Sequence, residues 1–260
     1  MKWKIFQMDN ENRLIVSKKR RFAAWMVHLF TATGAVFSLL SLNAIFWQNY
    51  ISALWLMAAA VVIDSMDGMM ARAVHTKEVV PEIDGALLDN IIDYVNYVIV
   101  PSFFIIESSL LPYGFRIVSA GLIAFVSAYQ FSQIDAKTED HFFKGFPSYW
   151  NIVVFYLYVW KTPQWVNLGL ITLLCGMVFV PIKYAYLSQP HYLVQSRPFK
   201  YGILLITVLW ALACAGSLWL YPISNCILSF ISVGYIFLYI SLSIFRTYKP
   251  IKRCQETELV

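Results

Sequence analysis

The stretch that decides the fold runs from Tyr50 to Ile106. Its centre reads Asp64-Ser65-Met66-Asp67-Gly68-Met69-Met70-Ala71-Arg72. A twelve-residue spacer, Ala73 to Asp84, leads to Gly85-Ala86-Leu87-Leu88-Asp89-Asn90-Ile91-Ile92-Asp93. Tyr50 to Ile63 ahead of this centre is apolar apart from Ser52, and Tyr94 to Ile106 behind it is mostly apolar. Four aspartates therefore fall where the flanking residues read as membrane. A carboxylate at the middle of a membrane helix costs roughly 2.5–3.5 kcal/mol on insertion scales, so four of them need a compensating partner.

Spacing indicates what that partner is. Asp64, Asp67, Gly68 and Ala71 stand at i, i+3, i+4 and i+7, one face of a helix, and Gly85, Asp89 and Asp93 stand at i, i+4 and i+8, again one face. A turn between the two helices brings the acidic faces together, with Gly68, Ala71 and Gly85 permitting close approach of helix or ligand. Clustered carboxylates stay ionised together only with cations among them. An all-oxygen donor set favours a hard divalent ion such as Mg²⁺ or Mn²⁺. The residues by themselves thus point to a divalent metal site at a membrane surface.

Outward from this centre, the chain of 260 residues is 59% hydrophobic and 13% charged, outside the range of soluble domains and long enough for one polytopic membrane domain, residues 1–260. The fold class expected is all-α. Eight spans fit the hydropathy: Phe22–Phe46, Tyr50–Ala73, Gly85–Ile106 (kinked at Pro101), Phe115–Phe131, Tyr149–Trp160, Trp165–Tyr184, Tyr201–Leu220 and Ile223–Ile244. Residues 1–21 read as a short cytoplasmic or interfacial segment closed by the topogenic run Lys18-Lys19-Arg20-Arg21, and residues 246–260 as a cytoplasmic tail. With the amino terminus inside, Lys77, Lys137, Lys144, Arg197, Lys200, Arg246, Lys249, Lys252 and Arg253 fall on the cytoplasmic side. Only Arg116 and Lys161 fall outside. That asymmetry orients the chain and puts the four aspartates at the cytoplasmic ends of spans two and three. The net charge of +5 is explained by this topology and by lipid head groups, not by nucleic acid. Cys175, Cys214, Cys226 and Cys254 form no C-x-x-C pair, so neither a structural disulfide nor a zinc site is expected.

The pattern Asp64-x-x-Asp67-Gly68-x-x-Ala71-Arg72, then Gly85-x-x-x-Asp89-x-x-x-Asp93, resembles the CDP-alcohol phosphotransferase family, with every fixed position filled. The spacer is longer than in most members and, with the length and the eight spans, resembles the bacterial phosphatidylcholine synthase branch. The resemblance implies transfer of a phosphatidyl group from CDP-diacylglycerol to choline, with release of CMP, at the inner (cytoplasmic) membrane of a bacterium. It implies two metal ions, manganese in preference to magnesium, bridged by Asp64 and Asp89, with Asp67 completing one site and Asp93 the other. Asp93 is also the implied general base, and Gly68, Ala71, Arg72 and Gly85 the implied cradle of the CDP-diacylglycerol. Members are often homodimers; no stretch here reports a dimer surface.

Other readings stay open at this stage. Intramembrane aspartates also serve as ion relays in transporters, so a cation-coupled transporter is the alternative from another class, and serine or inositol the alternative acceptor. Asp84, just before the third span, reads first as a helix cap. His28, Thr31, Thr33 and Gly34 lie early in the first span. His28 and Thr31 share a face, and Thr31 is the candidate there for cytosine or ribose, against the plainer reading that it satisfies backbone. Choline recognition calls for aromatic faces, and Tyr94, Tyr97, Tyr149, Trp150, Tyr184 and Tyr186 are near the cytoplasmic side. Glu78 and Glu82 of the spacer read as a solvated loop face.

Overall fold

In the computed structural model, residues 17–133, 142–185 and 197–248 are described. The earlier residues of the amino-terminal segment, and Lys137, Tyr186, Lys249, Lys252, Arg253 and Cys254, lie outside them. Ser17 caps the first helix, α1 (Lys18–Phe46), by accepting from the Arg20 amide. The chain turns at Trp47–Asn49, where Gln48 takes a left-handed φ of 57°. Asn49 then caps α2 (Tyr50–Val74) by accepting from the Ser52 amide. These two antiparallel helices make the most extensive helix pairing of the molecule.

The spacer folds back on this pair. His75 leaves α2 at φ 58°, α3 (Thr76–Val79) makes one turn, and Val79 and Val80 bury against Ala24 of α1. Arg21 donates to Glu82 at 2.7 Å, with both side chains about half exposed, so the pair contributes under about 1 kcal/mol. Asp84 is a cap, as its position before the span predicts: its carboxylate accepts from the Ala86 and Leu87 amides at 3.1 Å each. It opens α4 (Gly85–Tyr94).

The third span does not kink simply at Pro101. Between α4 and α5 (Val100–Glu107) the helix widens into one π turn, Val95–Ile99, closed by the Val100 amide on the Val95 carbonyl. In a regular helix the Pro101 ring would press on the carbonyl of Tyr97. The widened turn shifts the carbonyls and takes up the missing N–H.

A short 3₁₀ turn (Tyr113–Phe115) leads into α6 (Arg116–Ser132). After it come strand β1 (Phe142–Lys144), α7 (Trp150–Val159), α8 (Gln164–Met177), strand β2 (Lys183–Ala185), α9 (Arg197–Leu220) and α10 (Cys226–Tyr248). The fold is all-α apart from β1 and β2, which pair antiparallel with Phe142 opposite Ala185 and Lys144 opposite Lys183.

Among the described residues six helical segments are long and apolar enough to cross a membrane: Lys18–Phe46, Tyr50–Val74, Gly85–Glu107, Tyr113–Ser132, Pro198–Leu220 and Cys226–Tyr248. The chain is a polytopic membrane protein. The fifth and sixth expected spans fall on the shorter apolar helices α7 and α8, about 15 and 21 Å long against about 30 Å of hydrocarbon. The expected span to Tyr184 leaves helix at Met177. Pro181 offers no N–H, and the chain instead closes on the residues before α7. The Gly145 amide donates to Ile182, and the Phe146 amide to Met177. Gly145 has φ +80°, and a Cβ there would lie 2.1 Å from the Val178 carbonyl oxygen, so only glycine fits.

Polar contacts sort the loops into two ends. At one, Gln164 donates to Ser109, Asn167 to Leu110 and Lys161 to Pro222. At the other are Arg21 with Glu82 and the Lys183 amide with Thr247. The core between them is built from Leu54, Met57, Val98, Phe104, Ile123, Trp150, Val154 and Ile171, while Leu29, Leu39, Phe125, Phe230 and Phe237 face outward. An apolar exterior is what a lipid solvent selects.

Candidate active site

The acidic faces of α2 and α4 meet as their spacing predicts. One carboxylate oxygen from each of Asp64, Asp89 and Asp93 lies within 4.8 Å of the others, and all three residues are partly buried. Three hard oxygen donors at that separation fit a divalent cation, and such a set without one would repel itself. Asp67 stands outside this triplet but lines the same cleft and is 5% exposed. Thr31 and Gly34 of α1, Ala60 and Ile63 of α2, and Ile92 and Asn96 complete its wall.

Glycine sets how closely α1 approaches. A Cβ on Gly34 would meet Ile92 Cγ2 at 2.8 Å and Asn96 Nδ2 at 3.4 Å. Gly85 sits against His28: a Cβ there would meet the imidazole Cε1 at 3.0 Å. The helix start that carries Asp89 and Asp93 is thus seated on α1 through two glycines. Gly68 adjoins its own neighbour on α2, with the Arg72 Nη1 3.4 Å from where a Cβ would stand. Gly68 and Ala71 are partly buried and Arg72 is exposed at the end of the same helix.

Thr31 is buried, donates to the Val27 carbonyl at 3.3 Å, and lines the cleft beside Asp67, with whose carboxylate its hydroxyl also interacts. Thr33 is exposed and bonds back to Phe30. His28 is buried, and its Nε2 has no hydrogen-bond partner.

One residue of the site escaped the sequence reading. Asn96, on the π turn, lines the cleft and accepts from the Ser38 hydroxyl of α1. Its signal was available: a lone amide in an apolar run, three residues after Asp93. Among the aromatic candidates, Tyr97 is singled out by its hydroxyl, which donates to Asp64 Oδ2 at 2.6 Å. The other aromatic candidates separate. Tyr94 donates to the Ala124 carbonyl, and Trp150, fully buried, donates to the Ser127 hydroxyl. Both hold helices together.

The sequence profile of the family described as CDP-alcohol phosphatidyltransferase matches residues 24–182, which include every residue of this cleft. Among similar curated proteins is the phosphatidylcholine synthase of Legionella pneumophila, 47% identical over 237 residues, covering 91% of this chain and 93% of that protein. That of Legionella bozemanae is 44% identical over 83% of this chain and 100% of its own. That of Borreliella burgdorferi is 42% identical over 64% of this chain and 71% of its own.

Proposed function

This chain belongs to the CDP-alcohol phosphatidyltransferase family, and from that premise we propose that it is a phosphatidylcholine synthase, transferring the phosphatidyl group of CDP-diacylglycerol to choline. The observation that carries the chemistry is the convergence of Asp64, Asp89 and Asp93 from two helices within 4.8 Å, at the wall of a cleft that Asp67 also lines. Similarity over nearly the whole length to proteins named phosphatidylcholine synthase supports choline over serine or inositol. Family membership likewise leaves no ground for the transporter reading.

Asp64, Asp67, Asp89 and Asp93 would hold two divalent ions, Mn²⁺ or Mg²⁺. Bound there, the ions supply neutralisation of charge on the pyrophosphate. Asp93 receives the proton of the choline hydroxyl, which is a poor nucleophile until that proton is held by a positioned base. The hydroxyl oxygen forms a bond to the lipid-side phosphorus as the bond from that phosphorus to the CMP oxygen breaks. No covalent enzyme intermediate is required. Gly68, Ala71, Arg72 and Gly85 cradle the CDP-diacylglycerol, and Thr31 and Gly34 shape the cleft on the side of α1.

The reaction takes place at the cytoplasmic face of a bacterial inner membrane. Lys18, Arg20, Arg21, Lys77, Lys144, Lys183 and Lys200 lie at the helix ends that carry the aspartates, against Arg116 and Lys161 at the opposite ends, and the positive-inside rule orients such a chain. The test is incorporation of labelled choline into lipid by purified protein with CDP-diacylglycerol and Mn²⁺, releasing one CMP per choline. Incorporation of serine or inositol in place of choline would overturn the acceptor assignment, and no CMP release with any alcohol would overturn the activity.

A further inference from the structure

The carboxylate cluster has an aromatic edge. Tyr97, whose hydroxyl donates to Asp64, has Asp64, Asp93 and Tyr149 as electrostatic neighbours. Its ring centroid lies 5.9 Å from that of Tyr149, with the planes tilted by 54°. Tyr149 in turn meets Phe143 edge-on at 6.2 Å. Tyr97 is buried, while Tyr149, at the start of α7, is partly exposed.

Of the six aromatic residues near the cytoplasmic side, this pair is set apart by position. Tyr94 and Trp150 spend their polar atoms on Ala124 and Ser127, and Tyr184 packs between Phe146 and Tyr239. Tilted π faces beside carboxylates suit a particular chemistry. A quaternary ammonium has no N–H to donate, spreads its charge over methyl groups, and is held by ring faces and nearby negative charge. A serine amine or inositol hydroxyls would instead need hydrogen-bond partners for each polar hydrogen.

We propose that Tyr149, backed by Tyr97, forms the wall that receives a trimethylammonium head group, placing the hydroxyl at the end of its two-carbon arm within reach of Asp93. This subsite rests on the choline-transfer reading above and names the residues that give it its acceptor. Tyr97 then serves twice, orienting Asp64 through its hydroxyl and backing the Tyr149 ring with its own.

Two measurements test it, the first without any variant. In the wild type, 3,3-dimethylbutan-1-ol, the uncharged carbon isostere of choline, competes with choline at least about tenfold more weakly than choline's own KM, as loss of a desolvated cation–π contact requires. Equal competition would overturn the wall as a cation site. Second, Tyr149→Leu raises the choline KM about ten- to thirtyfold with the CDP-diacylglycerol KM unmoved, and Tyr149→Phe, which keeps a π face, raises it less. An unchanged choline KM in Tyr149→Leu, or both KM values rising together, would overturn the assignment. The two readings fail differently. A wild type that transfers no choline sinks the activity and the subsite with it, whereas an active wild type with an indifferent Tyr149 sinks the subsite alone.

Discussion

Replacing Gly34 by alanine tests whether the seat of α4 on α1 sets catalysis. The added Cβ would stand 2.8 Å from Ile92 Cγ2, whereas carbon atoms rest at about 3.5–4.0 Å, so the helices must separate by roughly 0.7–1.2 Å. Ile92 cannot give way alone: its branched Cβ fixes the Cγ2 position. Its neighbour along the chain is Asp93, and Asp89 lies one turn before. Overpacking of this kind costs about 1–3 kcal/mol, and alanine returns about 1 kcal/mol in helix propensity, for a net loss of about 0–2 kcal/mol. Turnover is more sensitive, since misplacing reacting groups by about 1 Å costs on the order of a hundredfold. Gly34→Ala is therefore expected to remain folded in detergent while kcat falls by about two orders of magnitude. The control is Gly121→Ala on α6, where a Cβ meets nothing within 4 Å, and which should keep its turnover and gain up to about 1 kcal/mol. A Gly34→Ala protein with wild-type kcat would refute the idea that this contact positions the carboxylates.

Three further outcomes are expected. Asp93→Asn abolishes turnover while CDP-diacylglycerol still binds; substantial remaining turnover removes its role as base. EDTA stops the reaction and added Mn²⁺ restores it, measured as labelled choline entering lipid; a rate indifferent to chelation defeats the two-metal proposal. Tyr97→Phe removes the 2.6 Å hydrogen bond to Asp64 and weakens Mn²⁺ binding about 10- to 100-fold, read from the free-ion electron paramagnetic resonance signal rather than from activity. Wild-type Mn²⁺ affinity in that variant would show that Asp64 needs no such support.

The ends of α2 and the start of α4 were legible because polar residues mark them: Asn49, His75 and Asp84 stand at these boundaries, and expected and observed limits agree there to within a residue. The acidic face of each helix followed from helical spacing, and the meeting of Asp64 with Asp89 and Asp93 from the turn between the helices. Hydropathy overran the end of α8 because residues 178–184 are as apolar as a span, while Pro181 and the pairing with Phe142–Lys144 take them out of helix. Those partners lie some forty residues apart in sequence, and no local pattern announces them. The part Tyr97 plays was hidden for a similar reason. Only after α2 and the third span pack together does its hydroxyl meet Asp64, and one tyrosine among 16 carries no mark of that.

Asp93 lies eight residues inside α4, about 12 Å along the helix axis from its first residue. The head-group layer on each side of a bilayer is about 5–7 Å deep, so a helix that starts there brings this carboxylate just below the glycerol backbone of the surrounding lipid. A nucleotide-activated lipid lying in the same leaflet carries its diphosphate near that level. Its two acyl tails need not leave their neighbours for the exchange to occur, and the finished lipid is already in the layer where it will remain.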